Sequence, residues 1–189
     1  MNLHEITSTE IKNKAWEKFR DHHYTPERWN PAARVFVATE IFDGKEVIVG
    51  MSAAKNGPGG TVKNTKHPDK HTMCSHKVVI LPPGWSTSAW NSREKFVLPD
   101  DFDRTAMWRV LADMQAQLFI DAGHRYYCNA GDAPTELIAY RNDPASGWVP
   151  TTKHGKPPRD DGHHKMSNRP RATNADGLVV SHWYVGSPK

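Results

Sequence analysis

Two short stretches of the 189-residue chain hold side chains that could move a proton or hold an ion. His22-His23-Tyr24 places two imidazoles and a phenol at consecutive positions. An imidazole of near-neutral pKa can act as a base, or bind a divalent metal with a carboxylate's help. Asp100, Asp101 and Asp103 put three acids into four positions, where acids orient an amine, hold a divalent metal or cap a helix. Capping accounts for Asp103. For His22, a place near a helix C-terminus, where an imidazole covers open carbonyls, is sufficient explanation. His23, Tyr24 and Asp101 remain catalytic candidates, set against simple packing and solvation. His67, His71, Cys74 and His76 are ligand types for zinc, but their spacing matches no familiar zinc site. The chain has eleven histidines, enough for chance groupings, so a solvated loop is the simpler reading there and at His163-His164.

The formal charge is +4, and much of it is gathered in Lys55–Lys77 and Lys153–Arg171. Basic loops on a folded body attract polyanions by releasing counterions, so Lys63, Lys66, Lys70, Lys153 and Lys156 are candidate nucleic-acid contacts. A solubilising surface explains the same charge almost as well. Trp85, Trp90, Trp148 and Trp183 are interleaved with these loops. An exposed indole beside a cation can stack an unpaired base, and an enzyme acting on a base in a duplex must flip it out. Core packing is the better reading for Trp183. Trp85, between a Pro-Pro-Gly turn and polar residues, is the best stacking candidate.

These side chains need elements to position them. Length suits one domain over residues 1–189, with basic loops at about 52–77 and 149–176. No apolar run approaches membrane-spanning length, the N-terminus lacks a secretory h-region, and two cysteines make no disulfide framework. A soluble cytoplasmic protein, of open oligomeric state, is expected. Glu10 to Arg20 predicts a helix with Ile11, Ala15, Trp16 and Phe19 on one face. Ala33–Thr39 and Glu46–Met51 predict a hairpin turning at Asp43-Gly44. Ser52 to His76 predicts a long loop and Val78–Leu81 a strand. Phe96-Val97-Leu98 predicts a strand ended by Pro99. A helix capped by Asp103 follows, with Met107, Val110, Leu111, Met114 and Leu118 inward and Gly123 at its stop. Arg125–Cys128 predicts a strand parallel to Phe96–Pro99, because a strand–helix–strand crossover is right-handed. A helix from Asp132 and Pro134 carries Leu137, Ile138 and Tyr140, and Leu178–Val185 predicts a last strand. The expected class is α/β with a mixed sheet.

That order, with His23-Tyr24, Asn30-Pro31-Ala32-Ala33-Arg34-Val35, Val97-Leu98-Pro99-Asp100, Gly123-His124-Arg125-Tyr126-Tyr127 and Tyr184-Val185-Gly186, resembles the GNAT acyltransferases. The likeness is to a phage and microbial branch, whose neighbourhood includes the phage Mom proteins that modify adenine in DNA. It implies a GNAT-like mixed sheet with flanking helices and splayed central parallel strands, and Tyr140 as general acid beside His23, Tyr24 and Asp101. It implies cofactor contacts at Leu98, Pro99, Arg104, Thr105 and Asn129. His76–Pro82 also resembles the strand before the cofactor loop, but Phe96–Pro99 needs no insertion before the long helix. One departure stands out. Where a GNAT has Gln/Arg-x-x-Gly-x-Gly/Ala, whose amides cradle the pyrophosphate of acyl-CoA, this chain has Asp101-Phe102-Asp103-Arg104-Thr105-Ala106. Without glycine the backbone cannot approach closely, and the acids repel phosphate, partly offset by Arg104. With that loop missing, the donor implied is acyl-CoA, a different donor or none, with a divalent metal as a further option. Three functions follow: an acyltransferase-like enzyme that modifies a DNA base, an ordinary acetyl-CoA-dependent N-acetyltransferase for a small amine or protein, or a non-catalytic module that binds nucleic acid or protein.

Overall fold

A computed structural model of the chain describes residues 1–23, 26–27, 29–56, 72–124, 126–132, 148–150 and 179–185. In chain order the elements are β1 (Asn2–Ile6), α1 (Thr9–Phe19), a 3-10 turn (Arg20–His22), β2 (Arg34–Phe42), β3 (Lys45–Asn56), β4 (Thr72–Ile80), β5 (Ser86–Ser88), β6 (Lys95–Val97), α2 (Arg104–Asp121), β7 (Tyr126–Asp132), β8 (Trp148–Pro150) and β9 (Val179–Val185). The chain forms two compact units, one of Met1–Ala54 with His76–Met114, the other of Lys55–Ser75 with Gln115–Lys189.

In the first unit β2 lies between β1 and β3, antiparallel to both. Val35, Phe36, Val37 and Ala38 are all buried, so both faces of β2 are covered. The turn into β3 is built by Asp43 and Gly44 at φ 49° and 75°, the left-handed pair that a two-residue hairpin turn requires. On α1, Trp16 and Phe19 are buried against the sheet's apolar residues, while Ile11 is 54% exposed, against the expected inward face. β3 and β4 approach so closely that a Cβ on Gly50 would lie 2.4 Å from the Val79 carbonyl oxygen. Beyond β4, Leu81 continues the pairing by donating its N–H to the Val49 carbonyl at 2.9 Å.

Two expectations are corrected here. The region 52–76 is not wholly loop: β3 runs to Asn56 and β4 begins at Thr72. Nor is Phe96 in a central parallel strand. β6 pairs antiparallel with β5 in a separate two-stranded ribbon, Thr87 opposite Phe96. The apolar run was legible, but it alternates: Phe96 lies against Phe42 at 5.4 Å and Leu98 is buried, whereas Val97 between them is 61% exposed. A ribbon with one covered face needs no second apolar layer.

In the second unit the start of β4 pairs parallel with β7, Thr72 opposite Tyr126 and Cys74 opposite Cys128. β7 then pairs antiparallel with β9 from Tyr126–Val185 to Asp132–Val179, and β8 lies beyond β9. The strand order in this unit is β4-β7-β9-β8. The parallel partner of β7 is therefore β4, the strand of the His76–Pro82 alternative, and β5–β6 is an insertion between it and the long helix. The parallel register covers three residue pairs, and β7 pairs with β9 along its whole length. Leu111, Ala112, Gln115, Ala116 and Phe119 form the buried stripe of α2, and Val110 is 39% exposed. The expected stripe missed this because two alanines and an amide carry little apolar signal. The predicted helix after Asp132 lies outside the described residues.

Candidate functional site

The first unit brings together the end of α1, the end of β4 and the start of α2. Arg104, the first residue of α2, donates from Nε to the Ile80 carbonyl oxygen at 2.8 Å. Its Nη2 reaches the His22 carbonyl oxygen at 3.4 Å. Burial lowers the guanidinium's pKa, but arginine remains a cation throughout the accessible range. Asp103 caps the helix, as its spacing predicts: the Ala106 N–H donates to Asp103 Oδ1 at 2.9 Å.

Over this junction stands Trp85. Its backbone is clamped to the ribbon, since Leu98 N–H donates to the Trp85 carbonyl and Gly84 N–H to the Leu98 carbonyl, each at 3.0 Å. Its indole is 46% exposed. The His22 ring meets it edge-on, with centroids 4.4 Å apart and planes at 85°. His22 Nε2 is buried there, with no hydrogen-bond partner among the described residues. Burial pushes the His22 pKa below its usual value, the nearby Arg104 charge adds to this, and Asp21 opposes it. The imidazole is accordingly neutral near pH 7.

His23 points elsewhere. It is 8% exposed and lies edge-on to Trp16 at 5.8 Å. Trp16 in turn stacks on Trp29 at 5.1 Å, with the Lys77 ammonium 5.0 Å from the Trp16 ring centroid. Lys77 is 2% exposed, a buried cation held partly by the indole. From the sequence His22 was read as a helix-capping residue, and Lys77 only as the end of a basic stretch. Lys77 shares its strand face with Val79 and Leu81 by period two, which was a readable sign of burial; His22 carried no such signal.

Of the other candidates, Leu98 is 1% exposed and belongs to the core, while Asp101 lies on the surface and Thr105 is half-buried. The Pro99 carbonyl accepts the Phe102 N–H at 3.1 Å. Asn129 lies in β7 opposite His182 of β9. Tyr24, Lys63, Lys66, Lys70, Tyr140, Lys153 and Lys156 lie outside the described residues. Among the described residues no three His, Cys, Asp or Glu side chains converge to hold a metal ion. No helix among them is long and apolar enough to cross a membrane.

The start of α2 does not fit the pyrophosphate of acyl-CoA as a glycine loop would. The Ala106 amide is already taken by Asp103, the Arg104 amide by the Phe102 carbonyl and the Phe102 amide by Pro99. Asp100 and Asp101 stand directly before this turn, and no glycine opens it. Arg104 is the cation at the junction, and it is spent in part on two carbonyls.

No protein-family model and no curated protein matches the sequence. Solved structures do match in fold. The ribosomal-protein-S18-alanine N-acetyltransferase from Escherichia coli superposes with a TM-score of 0.51 at 10% identity, covering 100% of this chain and 96% of that one. MesI, a CoA-dependent acyl-homoserine lactone synthase, gives 0.54 at 15% identity, covering 99% and 90%. The fold is the α/β fold of the GNAT N-acetyltransferases.

Proposed function

We propose that this chain is a GNAT-fold, acyltransferase-like enzyme that modifies a base of nucleic acid, in DNA. The single observation that carries the base is Trp85: a half-exposed residue shortly after β4, edge-on to a neutral His22 whose backbone carbonyl Arg104 approaches at 3.4 Å. Ligands of strand–helix–strand units gather at strand C-terminal ends, and an exposed indole next to a cation suits a base with its phosphate. Transfer to nitrogen is supported by the fold likeness, since one neighbour is an N-acetyltransferase and the other is CoA-dependent. The phage-type likeness, the cytoplasmic setting and the basic loops belong to the same reading.

The test is nucleoside mass analysis of DNA from cells that express the protein. A shifted nucleoside, lost in Trp85→Ala, is the expected result; an unaltered profile removes the reading. Acyl-CoA binding by calorimetry together with an unaltered profile would favour an ordinary N-acetyltransferase. The filled amides at the start of α2 favour one further reading, a non-catalytic module that binds nucleic acid or protein. It is recognised by salt-sensitive binding with neither acyl-CoA uptake nor a modified nucleoside.

A further inference from the structure

A buried ring nitrogen without a partner is uncommon, because the lost hydration is normally replaced by a hydrogen bond. Among the described residues His22 Nε2 is in that position, and the ring that lies against His22 is the indole of Trp85. The cover is loosely held. Trp85 is 46% exposed, and its fixed part is the backbone, through the Leu98 N–H and its own N–H to the Pro82 carbonyl at 3.3 Å. A side-chain rotation would uncover Nε2 without breaking these bonds.

We infer that Trp85 is a movable cover over His22, and that a planar base bearing an amino group displaces it, stacking on the indole while its N–H donates to His22 Nε2. The ligand class rests on the nucleic-acid reading above; the cover itself does not. The pairing requires the Nδ1–H tautomer, in which Nε2 keeps its lone pair. The charged groups around it favour a neutral ring or tolerate it: Arg104 from α2 disfavours the imidazolium, Asp21 opposes that weakly, and Asp100 stands beside Gly84. Arg104 also retains guanidinium N–H groups beyond its two carbonyl bonds, able to meet the phosphate of the same nucleotide.

Two measurements on the full chain test this. In ligand-free protein, diethyl pyrocarbonate modification of His22, read by peptide mass mapping, is slow in the wild type and markedly faster in Trp85→Ala. Equal rates overturn the cover. Next, a short single-stranded oligodeoxyadenosine is compared with oligothymidine, which lacks the amino group. The adenosine oligomer binds about tenfold more tightly, and His22→Leu removes that preference, as expected of one hydrogen bond to a previously unpaired nitrogen. Trp85→Ala weakens both oligomers by roughly tenfold through lost stacking. Equal affinities in the wild type, or a preference that survives His22→Leu, overturn the assignment. If both measurements hold while cellular nucleosides are unaltered, the site stands and the enzymatic reading falls.

Discussion

Two histidine–tryptophan pairs in the first unit use the same residues in opposite ways. His4 lies flat on Trp90, with centroids 4.3 Å apart and planes at 19°, and His22 meets Trp85 edge-on at 4.4 Å. The first pair is closed. Glu46 Oε1 gathers His4 Nε2 at 2.7 Å, Asn2 Nδ2 at 2.9 Å and the Thr39 hydroxyl at 2.6 Å. The Glu46 carbonyl also takes the Trp90 N–H at 2.7 Å. These bonds pull the Glu46 carboxyl down to about 2. In the second pair Nε2 has no such answer among the described residues. Side-chain type therefore does not mark a site. A network whose donors and acceptors satisfy one another fastens β1, β2 and β3 together, whereas an unanswered nitrogen under a half-exposed ring keeps its capacity for a ligand.

Both pairs hang from the β3–β4 contact, because Glu46 lies on β3 and Ile80, which accepts from Arg104, ends β4. The largest effect should come from breaking that contact. In Gly50→Ala the new methyl group would stand 2.4 Å from the Val79 carbonyl oxygen and 2.7 Å from Ile80 Cδ1. Backbone cannot yield as a flexible side chain would, so a loss of about 3 kcal/mol is expected, the upper end of ordinary overpacking. Urea denaturation measures it, and an unchanged midpoint would mean that the strands do not approach so closely. A smaller loss, about 1–3 kcal/mol, is expected for Glu46→Ala, which leaves the fully buried Thr39 without its acceptor. The pH dependence sharpens this. The folded carboxyl, at about 2, lies below its ordinary 4.5, so its stabilisation is complete above pH 4.5 and is lost as pH falls towards 2. Glu46→Gln should reduce the slope across that window, leaving the part due to Glu5 and Glu40, whose carboxyls are also held below 4.5; a slope equal to the wild type's would dissolve the closed network.

Much of this frame was legible in the residues. Asp43-Gly44 announced its turn, Trp16 and Phe19 their helix face, and Asp103 its cap. The α/β class followed from the order of elements, and the fold of the solved GNAT structures agrees with it. What was misread was partnership. Phe96-Val97-Leu98 and Val78–Leu81 are both apolar runs before the long helix, and local pattern does not say which one pairs with β7. The three-residue parallel register with β4 decides it, and that is a contact between positions more than fifty residues apart. The candidate site suffered from the same limit. Trp85 and Arg104 were singled out, but His22 was assigned to helix capping, because only the folded chain shows its ring against Trp85. His23, the neighbour given more weight, is turned into the Trp16 cluster instead.

The smallest expected effect discriminates most between the two pairs. His22→Leu removes a buried nitrogen that has no partner among the described residues and keeps an apolar side chain against the indole. Replacing such a group by one of similar shape is close to neutral or stabilising, so a change within about 0.5 kcal/mol near pH 7 is expected, far less than for Glu46→Ala. The pH windows separate as well. Burial and Arg104 hold the folded His22 pKa below 6.5, so just below that pH the unfolded chain binds a proton that the folded chain refuses. Its contribution is full above pH 6.5, declines as pH falls from there and levels off below the folded pKa. His22→Leu should abolish this upper slope and leave the lower one, due to Glu46 with Glu5 and Glu40, intact. If His22→Leu were as costly as Glu46→Ala at neutral pH, His22 would be a fastener like His4, and the nitrogen beneath Trp85 would have no capacity to offer.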